Sequence, residues 1–565
     1  MKSLTGRAII FSSQILLFGP VTLMAQQQVF AQQHGTPSSS IPTVQLLPEF
    51  RPIGGVGNNL ENPGFDVVPG APELILAPLN FAAGSNDGLL AGPNPRLISN
   101  EIAGGTGEQG QNAETEDPKA SAWLYVFGQF VDHDIDLEST PTDTAAINII
   151  VPANDPVFTA GTTIAMTRDA RSPSTNTIIN TVAGDLDLSQ LYGSTTAVAT
   201  SLRNADGTLS SSDNGQALPV VDGVFVTGDP RVMENPELTA LTILFMREHN
   251  SWVAQLQQQH PDWTGEQLYD MAKAITTGEY QNIVYTEYLP VLIGNRLGAY
   301  QGYDPSVNAQ VTQEFSTAAF RMGHSEVSDT QEGVDNNGNT VFTESLAQAF
   351  FNTPAEDEAN GIDPLIRAVG IDHSQATDVY SVAVLRNLLF AGLVGGDVDQ
   401  VDLIAIDIQR ERDVGVGTLN QTRAALGLSP YTSFEQLTSD SRLQASFTAL
   451  YGSISNVDLF MGGLAEAHVR GADVGPTFEA ILVDQFEALR AGDRFWWQNQ
   501  KFDRATASMI SKTTLAQIVK RNTDTTSIAD DLFVVTPSTS HHGNPHVPST
   551  PVNNHGRRGV PFMLP

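Results

Sequence analysis

The sequence predicts a mainly α-helical fold, built as one large domain with few short strands. Three observations predict it. Apolar residues recur at helical spacing through most of the middle of the chain. Strand-like alternation is confined to short pieces such as 146–151 and 163–167. Neither an internal repeat nor a linker interrupts residues 51–533. At 565 residues the chain has room for three or four average domains, so the single-domain reading rests on the missing linker rather than on size.

Residues 1–31 read as an export signal. Lys2 and Arg7 form a positive start, an apolar stretch runs over 8–24, and Val29-Phe30-Ala31 has the small-x-Ala shape of a cleavage site, with Ala25 as a second candidate. Ser12, Ser13, Gln14, Gly19 and Pro20 interrupt the apolar run and argue against a retained anchor. Residues 32–50 are expected to be a linker and 51–535 the folded domain. Within it, 78–107 is rich in Gly, Pro and Asn and is expected to be mostly irregular. Trp123, Val126, Phe127 and Phe130 predict a helix over 120–130. Asn235 as N-cap, Pro236 at the first helical position and Glu237 in the first turn start another. Thr264 with Gln267 forms a capping box for a third. Further helical patterns cover 378–393 and 477–490. Residues 536–565 form a Pro/Ser/Thr-rich tail, whose His541, His542, His546 and His555 read as incidental rather than as a metal site.

Composition narrows the function. The chain carries 63 acidic and 29 basic residues, a formal net charge of −34. Nucleic acid and anionic membrane surfaces need Lys/Arg-rich patches, so both are poor partners. No later stretch is long and apolar enough to span a bilayer. There is no cysteine, which excludes disulfides, zinc–thiolate sites, iron–sulfur clusters and cysteine nucleophiles. Any metal must be held by His, Asp, Glu or backbone oxygen. The absence of HExxH argues against a zincin.

Four segments carry candidate chemistry. Gly128-Gln129-Phe130-Val131-Asp132-His133-Asp134-Ile135-Asp136 places a histidine between carboxylates on an otherwise apolar helix. Gln129 and His133 share one face, being four residues apart. A frayed, solvated helix end and a non-haem metal cluster are the alternatives. Gly228-Asp229-Pro230-Arg231-Val232-Met233-Glu234 brings Arg231 and Glu234 to the mouth of the helix capped by Asn235. In Phe320-Arg321-Met322-Gly323-His324-Ser325, a histidine follows a glycine at the end of an Ala/Phe-rich helix, where a satisfied core histidine is the plainer reading. Ile406-Asp407-Ile408-Gln409-Arg410-Glu411-Arg412-Asp413 alternates charge as a solvated face does.

Together, and in this order, these segments resemble the animal-type haem peroxidases of the peroxidase–cyclooxygenase superfamily, the family of myeloperoxidase and lactoperoxidase. The resemblance extends to Asn94-Pro95-Arg96-Leu97-Ile98-Ser99-Asn100, Leu188-Ser189-Gln190-Leu191-Tyr192-Gly193-Ser194, Asp458-Leu459-Phe460-Met461-Gly462-Gly463 and Arg490-Ala491-Gly492-Asp493-Arg494-Phe495-Trp496-Trp497. It spans roughly 51–533.

The resemblance implies a haem b cofactor with His324 as proximal iron ligand. The partner of its other ring nitrogen falls on Asp407, where the mammalian members usually have Asn; a carboxylate there should lower the iron potential and weakens the expectation of chloride oxidation. His133 matches the distal acid–base histidine, Arg231 the distal arginine, and Gln129 the distal glutamine that bonds water or halide. Asp132 and Glu234 match carboxylates that ester-link to haem. Asn235 stands where myeloperoxidase has a sulfonium-forming methionine, so at most two ester links are expected. Arg321 and Arg410 match positions that neutralise haem propionates. A calcium site is implied at Asp134, Asp185, Asp187 and Ser189, with the family threonine replaced by Ala183.

The expected function is that of a secreted peroxidase using hydrogen peroxide to oxidise iodide, bromide, thiocyanate or small aromatic donors. A fatty-acid dioxygenase of the same superfamily would need a tyrosine where this chain has Arg321. A peroxidase-fold adhesion or matrix protein should have lost some of His133, Arg231, Gln129 and His324, and all four are present.

Overall fold

The computed structural model describes residues 44–104, 115–141, 144–212, 215–350, 361–391 and 398–535, with the side chains of 388–399 left out; the expected export signal, residues 32–43 of the linker and the whole tail lie outside. Six helices of eleven residues or more stand among the described residues: α1 Trp123–Ile135, α2 Pro236–Gln259, α3 Gly265–Ile283, α4 Leu403–Val414, α5 Ser441–Tyr451 and α6 Pro476–Ala491. The strands form five separate two-stranded antiparallel sheets, and no larger sheet is seen among the described residues. The chain is thus mainly α, as its periodicity predicts.

Helix α1 is apolar nearly all round because it is enclosed nearly all round. Phe130 stacks on Phe245 of α2 with ring centroids 5.1 Å apart and meets Tyr280 of α3 edge-on at 5.8 Å. Phe127 meets Phe533 edge-on at 5.3 Å, which ties α1 to the end of the domain. Gly128 is required by close approach: a Cβ there would lie 2.9 Å from the Tyr288 hydroxyl. The predicted caps form. Asn235 accepts the Leu238 amide, and Thr264 and Gln267 close their reciprocal box.

Helix α4 is set by buried charge. Asp402 is its N-cap, accepting the Ala405 amide, and the fully buried Arg96 clamps it at 2.7 Å while also pairing with Asp155. At the other end Arg412 grips Asp458 through two bonds, at 2.8 and 2.6 Å. Several family-like motifs away from the site are therefore structural clamps. Breaking one partner of such a pair leaves an uncompensated buried charge, at a cost of about 3–5 kcal/mol.

One expectation is corrected, and two features go beyond what the sequence suggests. The segment 378–393 is not one helix: it holds a single turn, Ala383–Arg386, followed by strand Leu388–Ala391 paired with Val398–Val401. The described part of 78–107 is mostly irregular, as expected, and also holds a helical run, Pro95–Ile98 continuing as Ser99–Ala103, started by the Asn94 side chain. An unpredicted hairpin pairs Thr330–Val334 with Thr340–Ser345. Its turn places Gly338 at φ +80°, a left-handed position that favours glycine.

Candidate active site

Two histidines face their chemistry from packed neighbouring elements, α1 and the short helix Gly323–Glu326. On the α1 side, His133 Nε2 lies 3.6 Å from the Glu234 carboxylate. Gln129 Nε2 donates to the same carboxylate at 2.9 Å, and Asn235 Nδ2 donates to Gln129 Oε1 at 2.7 Å. Burial, then the charge of Arg231, holds the His133 imidazole well below its ordinary value, so it is neutral. Burial pushes Glu234 up to about 8, against the pull of Arg231.

Arg231 reaches this group through a chain of local constraints. Asp229 caps the Pro230–Met233 turn by accepting the Arg231 amide, then binds the guanidinium through Nε and through Nη2 at 2.7 Å. Nη2 also donates to the Asp136 carbonyl at 2.8 Å and weakly to that of His133, fastening Arg231 to the C-terminal end of α1. Its Nη1 group has no hydrogen-bond partner among the described residues. Gly228 makes the approach possible, since a Cβ there would lie 2.4 Å from the Ser189 carbonyl oxygen.

On the other side His324 Nδ1 is bound to Asp407 of α4 at 2.7 Å, and the His324 carbonyl accepts the Ser381 hydroxyl. The tautomer follows: Nδ1 donates, Nε2 keeps its lone pair, and the side chain retains 24 % exposure. Asp407, fully buried, also accepts Arg321 Nη1 at 3.0 Å, and Arg321 Nη2 pairs with Glu138. Arg321 is thus committed to two carboxylates. Arg410, three residues after Asp407 on α4, pairs with Asp169 at 3.0 Å and is bonded to the Thr167 carbonyl. Asp132 lies within the field of Arg231, Arg321 and His324, between the two groups; its carboxylate has no hydrogen-bond partner among the described residues, and burial raises it to about 6. This donor set, an imidazole anchored through Nδ1 on one element and a second, neutral histidine with the Asp132 and Glu234 carboxylates on and beside the helix packed against it, fits a haem iron.

The third group forms where α1 meets the loop before Ser189. Leu188 adopts left-handed φ of +62°, rare for a branched residue, and this turns its amide and that of Ser189 onto the Asp134 carboxylate. The Ser189 hydroxyl donates to the Asp134 carbonyl at 2.8 Å and stands 3.4 Å from that of Ala183. Asp187 is buried with Oδ1 unpartnered. Burial and the adjacent Asp187 charge drive Asp134 well above the carboxylate range. Two crowded carboxylates, a hydroxyl, nearby carbonyls and an orphaned oxygen suit a hard cation. Asp185 does not turn its carboxylate to them: it pairs with Arg51 at 3.0 Å and Asn58 at 2.9 Å, leaving only its carbonyl. Among the described residues no set of three His, Asp or Glu side chains is arranged around a metal, so backbone and hydroxyl oxygens must complete any such shell.

Sequence reasoning missed the residues that hold these groups. Asp229 had a local signal, standing immediately before a proline at a helical start. Glu138, Arg51 and the buried Lys273, whose charge acts on Asp187, had none, because their partners are distant in the chain.

The sequence profile of the animal haem peroxidases matches residues 50–533. Peroxinectin A of Dictyostelium discoideum is 31 % identical over 512 residues, covering 84 % of this chain and 93 % of its own. Lactoperoxidase of Mesocricetus auratus is 31 % identical over 560 residues, covering 86 % and 78 %. Among solved structures, peroxidase A from Dictyostelium discoideum superposes with a TM-score of 0.76 at 29 % identity, covering 86 % of this chain and 100 % of that one. A fatty acid alpha-dioxygenase from Arabidopsis thaliana shares the fold, with a TM-score of 0.75 at 19 % identity over 90 % of this chain and 89 % of its own.

Proposed function

The chain belongs to the animal haem peroxidase family, and we propose that it is an exported enzyme using hydrogen peroxide to oxidise iodide, bromide, thiocyanate or small aromatic donors. The observation that carries this reading is a pair of histidines on packed neighbouring elements, His324 anchored through Nδ1 to Asp407 and His133 held neutral by burial beside Arg231. Bound haem would supply the redox chemistry, two electrons for the peroxide O–O bond that the donor then replaces. His324 would hold the iron through Nε2. His133 accepts a proton from one peroxide oxygen and returns it to the other as water leaves. The uncommitted Nη1 donors of Arg231 stabilise the negative charge that develops as the bond breaks. Gln129 offers an N–H to water or to the donor.

Asp132 and Glu234 are the carboxylates available for ester links; haem extracted freely by acidified acetone would contradict such links. Asp134, Asp187, Ser189 and the carbonyls of Ala183 and Asp185 are the proposed calcium ligands. Residues 1–31 supply the export signal in this reading, and no helix among the described residues is long and apolar enough to cross a membrane. The test is peroxide-dependent turnover of the haem-supplied protein with iodide, thiocyanate and a simple phenol, alongside oxygen uptake with a polyunsaturated fatty acid. Turnover of the first three donors supports the proposal. Oxygen uptake with the lipid alone would replace it with the dioxygenase reading, and a folded, inert protein with the adhesion reading.

A further inference from the structure

The amide of Gln129 has a fixed orientation, and the constraint comes from the backbone. The Leu238 amide hydrogen, at the start of α2, must be accepted by Asn235 Oδ1, at 2.8 Å. The other end of the Asn235 side chain is therefore its NH2 group, and this end faces Gln129 at 2.7 Å. Gln129 must meet it with Oε1. Its own NH2 group is left turned to the active-site side, with one hydrogen on Glu234 at 2.9 Å and the second uncommitted. An amide alone is two-faced and offers a ligand either a donor or an acceptor; here the acceptor is consumed. We propose that Asn235 is a positioning residue for substrate choice, which locks Gln129 as a hydrogen-bond donor and thereby favours small anions as the electron donors of the enzyme. This rests on the peroxidase reading above and narrows its substrate class.

The surroundings agree with an anion. The charge of Arg231, whose Nη1 group has no hydrogen-bond partner among the described residues, acts on Glu234, the carboxylate that Gln129 bonds. Two nearby carboxylates would repel an anion: burial keeps Glu234 protonated up to about pH 8, and Asp132, raised to about 6, carries its charge in the field of Arg231 and Arg321. An apolar side chain at position 235 would leave Gln129 free to rotate and present its oxygen.

The test is titration of the ferric, haem-loaded protein with thiocyanate, followed by the shift of its Soret band. Asn235→Ser keeps an oxygen for the Leu238 amide and removes the donor to Gln129; its thermal midpoint should stay near that of the parent. Its thiocyanate dissociation constant is expected to rise about 3- to 10-fold. Asn235→Asp keeps the cap but places an acceptor against Oε1, and should weaken binding further. Adding Asn235→Ser to Gln129→Leu should cost nothing beyond Gln129→Leu alone, because the two residues act as one unit. Unchanged affinity in both Asn235 variants, or a further loss in the double variant, would overturn the inference while leaving the peroxidase reading intact. A parent protein that carries haem but gives no response to thiocyanate would overturn the anion reading itself.

Discussion

His133 and Arg231 divide the handling of peroxide between a proton carrier and a fixed charge, and their substitutions should fail differently. Removing the base, His133→Ala, should slow the reaction with peroxide by about 10²–10⁴-fold. Arg231→Leu removes a charge that also neutralises buried Asp229, so it should lower both rate and stability. The pH profile has a definite sign. Burial and Arg231 hold His133 below its ordinary 6.5. Between the folded value and 6.5 the unfolded chain binds the proton first, so stability is unaffected by this group above pH 6.5 and declines as the pH falls below it. The peroxide reaction should likewise lose rate only on that acid side, measured by stopped-flow absorbance; an acid limb centred above pH 7 would contradict a neutral, buried His133. At His324, Asp407 pulls its ring toward anionic character while Arg321 draws charge from the same carboxylate. Asp407→Asn should raise the iron reduction potential in spectroelectrochemistry, and an unmoved or lowered potential would remove Asp407 from that role.

At the scale of elements, the site depends on α1 being held at both ends of its polar stretch. Gly128→Ala pushes a methyl against the Tyr288 hydroxyl, and overpacking of this kind costs about 1–3 kcal/mol; denaturant midpoints would read it. The Asp134–Ser189 junction ties α1 to the neighbouring loop. Prolonged chelation should lower the thermal midpoint by removing a cation that binds only the folded junction of Asp134 and Asp187, and a protein indifferent to chelation would exclude calcium from the junction. Much at this scale was legible in the sequence. Caps and capping boxes are local, so the starts of α2 and α3 read directly from Asn235-Pro236 and Thr264–Gln267. The segment 378–393 misled because a short apolar run fits helix and strand alike. The approach to His324 passes through a π-helical stretch, Phe315–Ala319, then a 3-10 turn, Phe320–Met322, where a regular period no longer tells which way a side chain points. Arg321 could be matched to a propionate by resemblance, but its bonds to Glu138 and Asp407 join residues 183 and 86 positions away, and no local pattern announces them.

At the scale of the whole molecule, a net charge of −34 surrounds a site proposed to take anions. That field repels an approaching iodide or thiocyanate and is screened by salt over a Debye length of about 8 Å at 0.15 M ionic strength. The kcat/KM for anionic donors should therefore climb with ionic strength, while that for an uncharged phenol stays nearly flat. Parallel salt responses for the two donors would show that the surface charge does not govern access. The same screening should raise overall stability, because the acidic surface repels itself.

The central claim is that His324 holds a haem iron which hydrogen peroxide can reach. The visible absorption spectrum of the purified, haem-supplied protein, before and after peroxide and beside His324→Ala, tests it most directly. A Soret band corresponding to one haem per chain, shifted by peroxide and lost or displaced in the variant, is the expected result. A folded protein with no Soret band, or one whose band ignores both peroxide and the loss of His324, would contradict it.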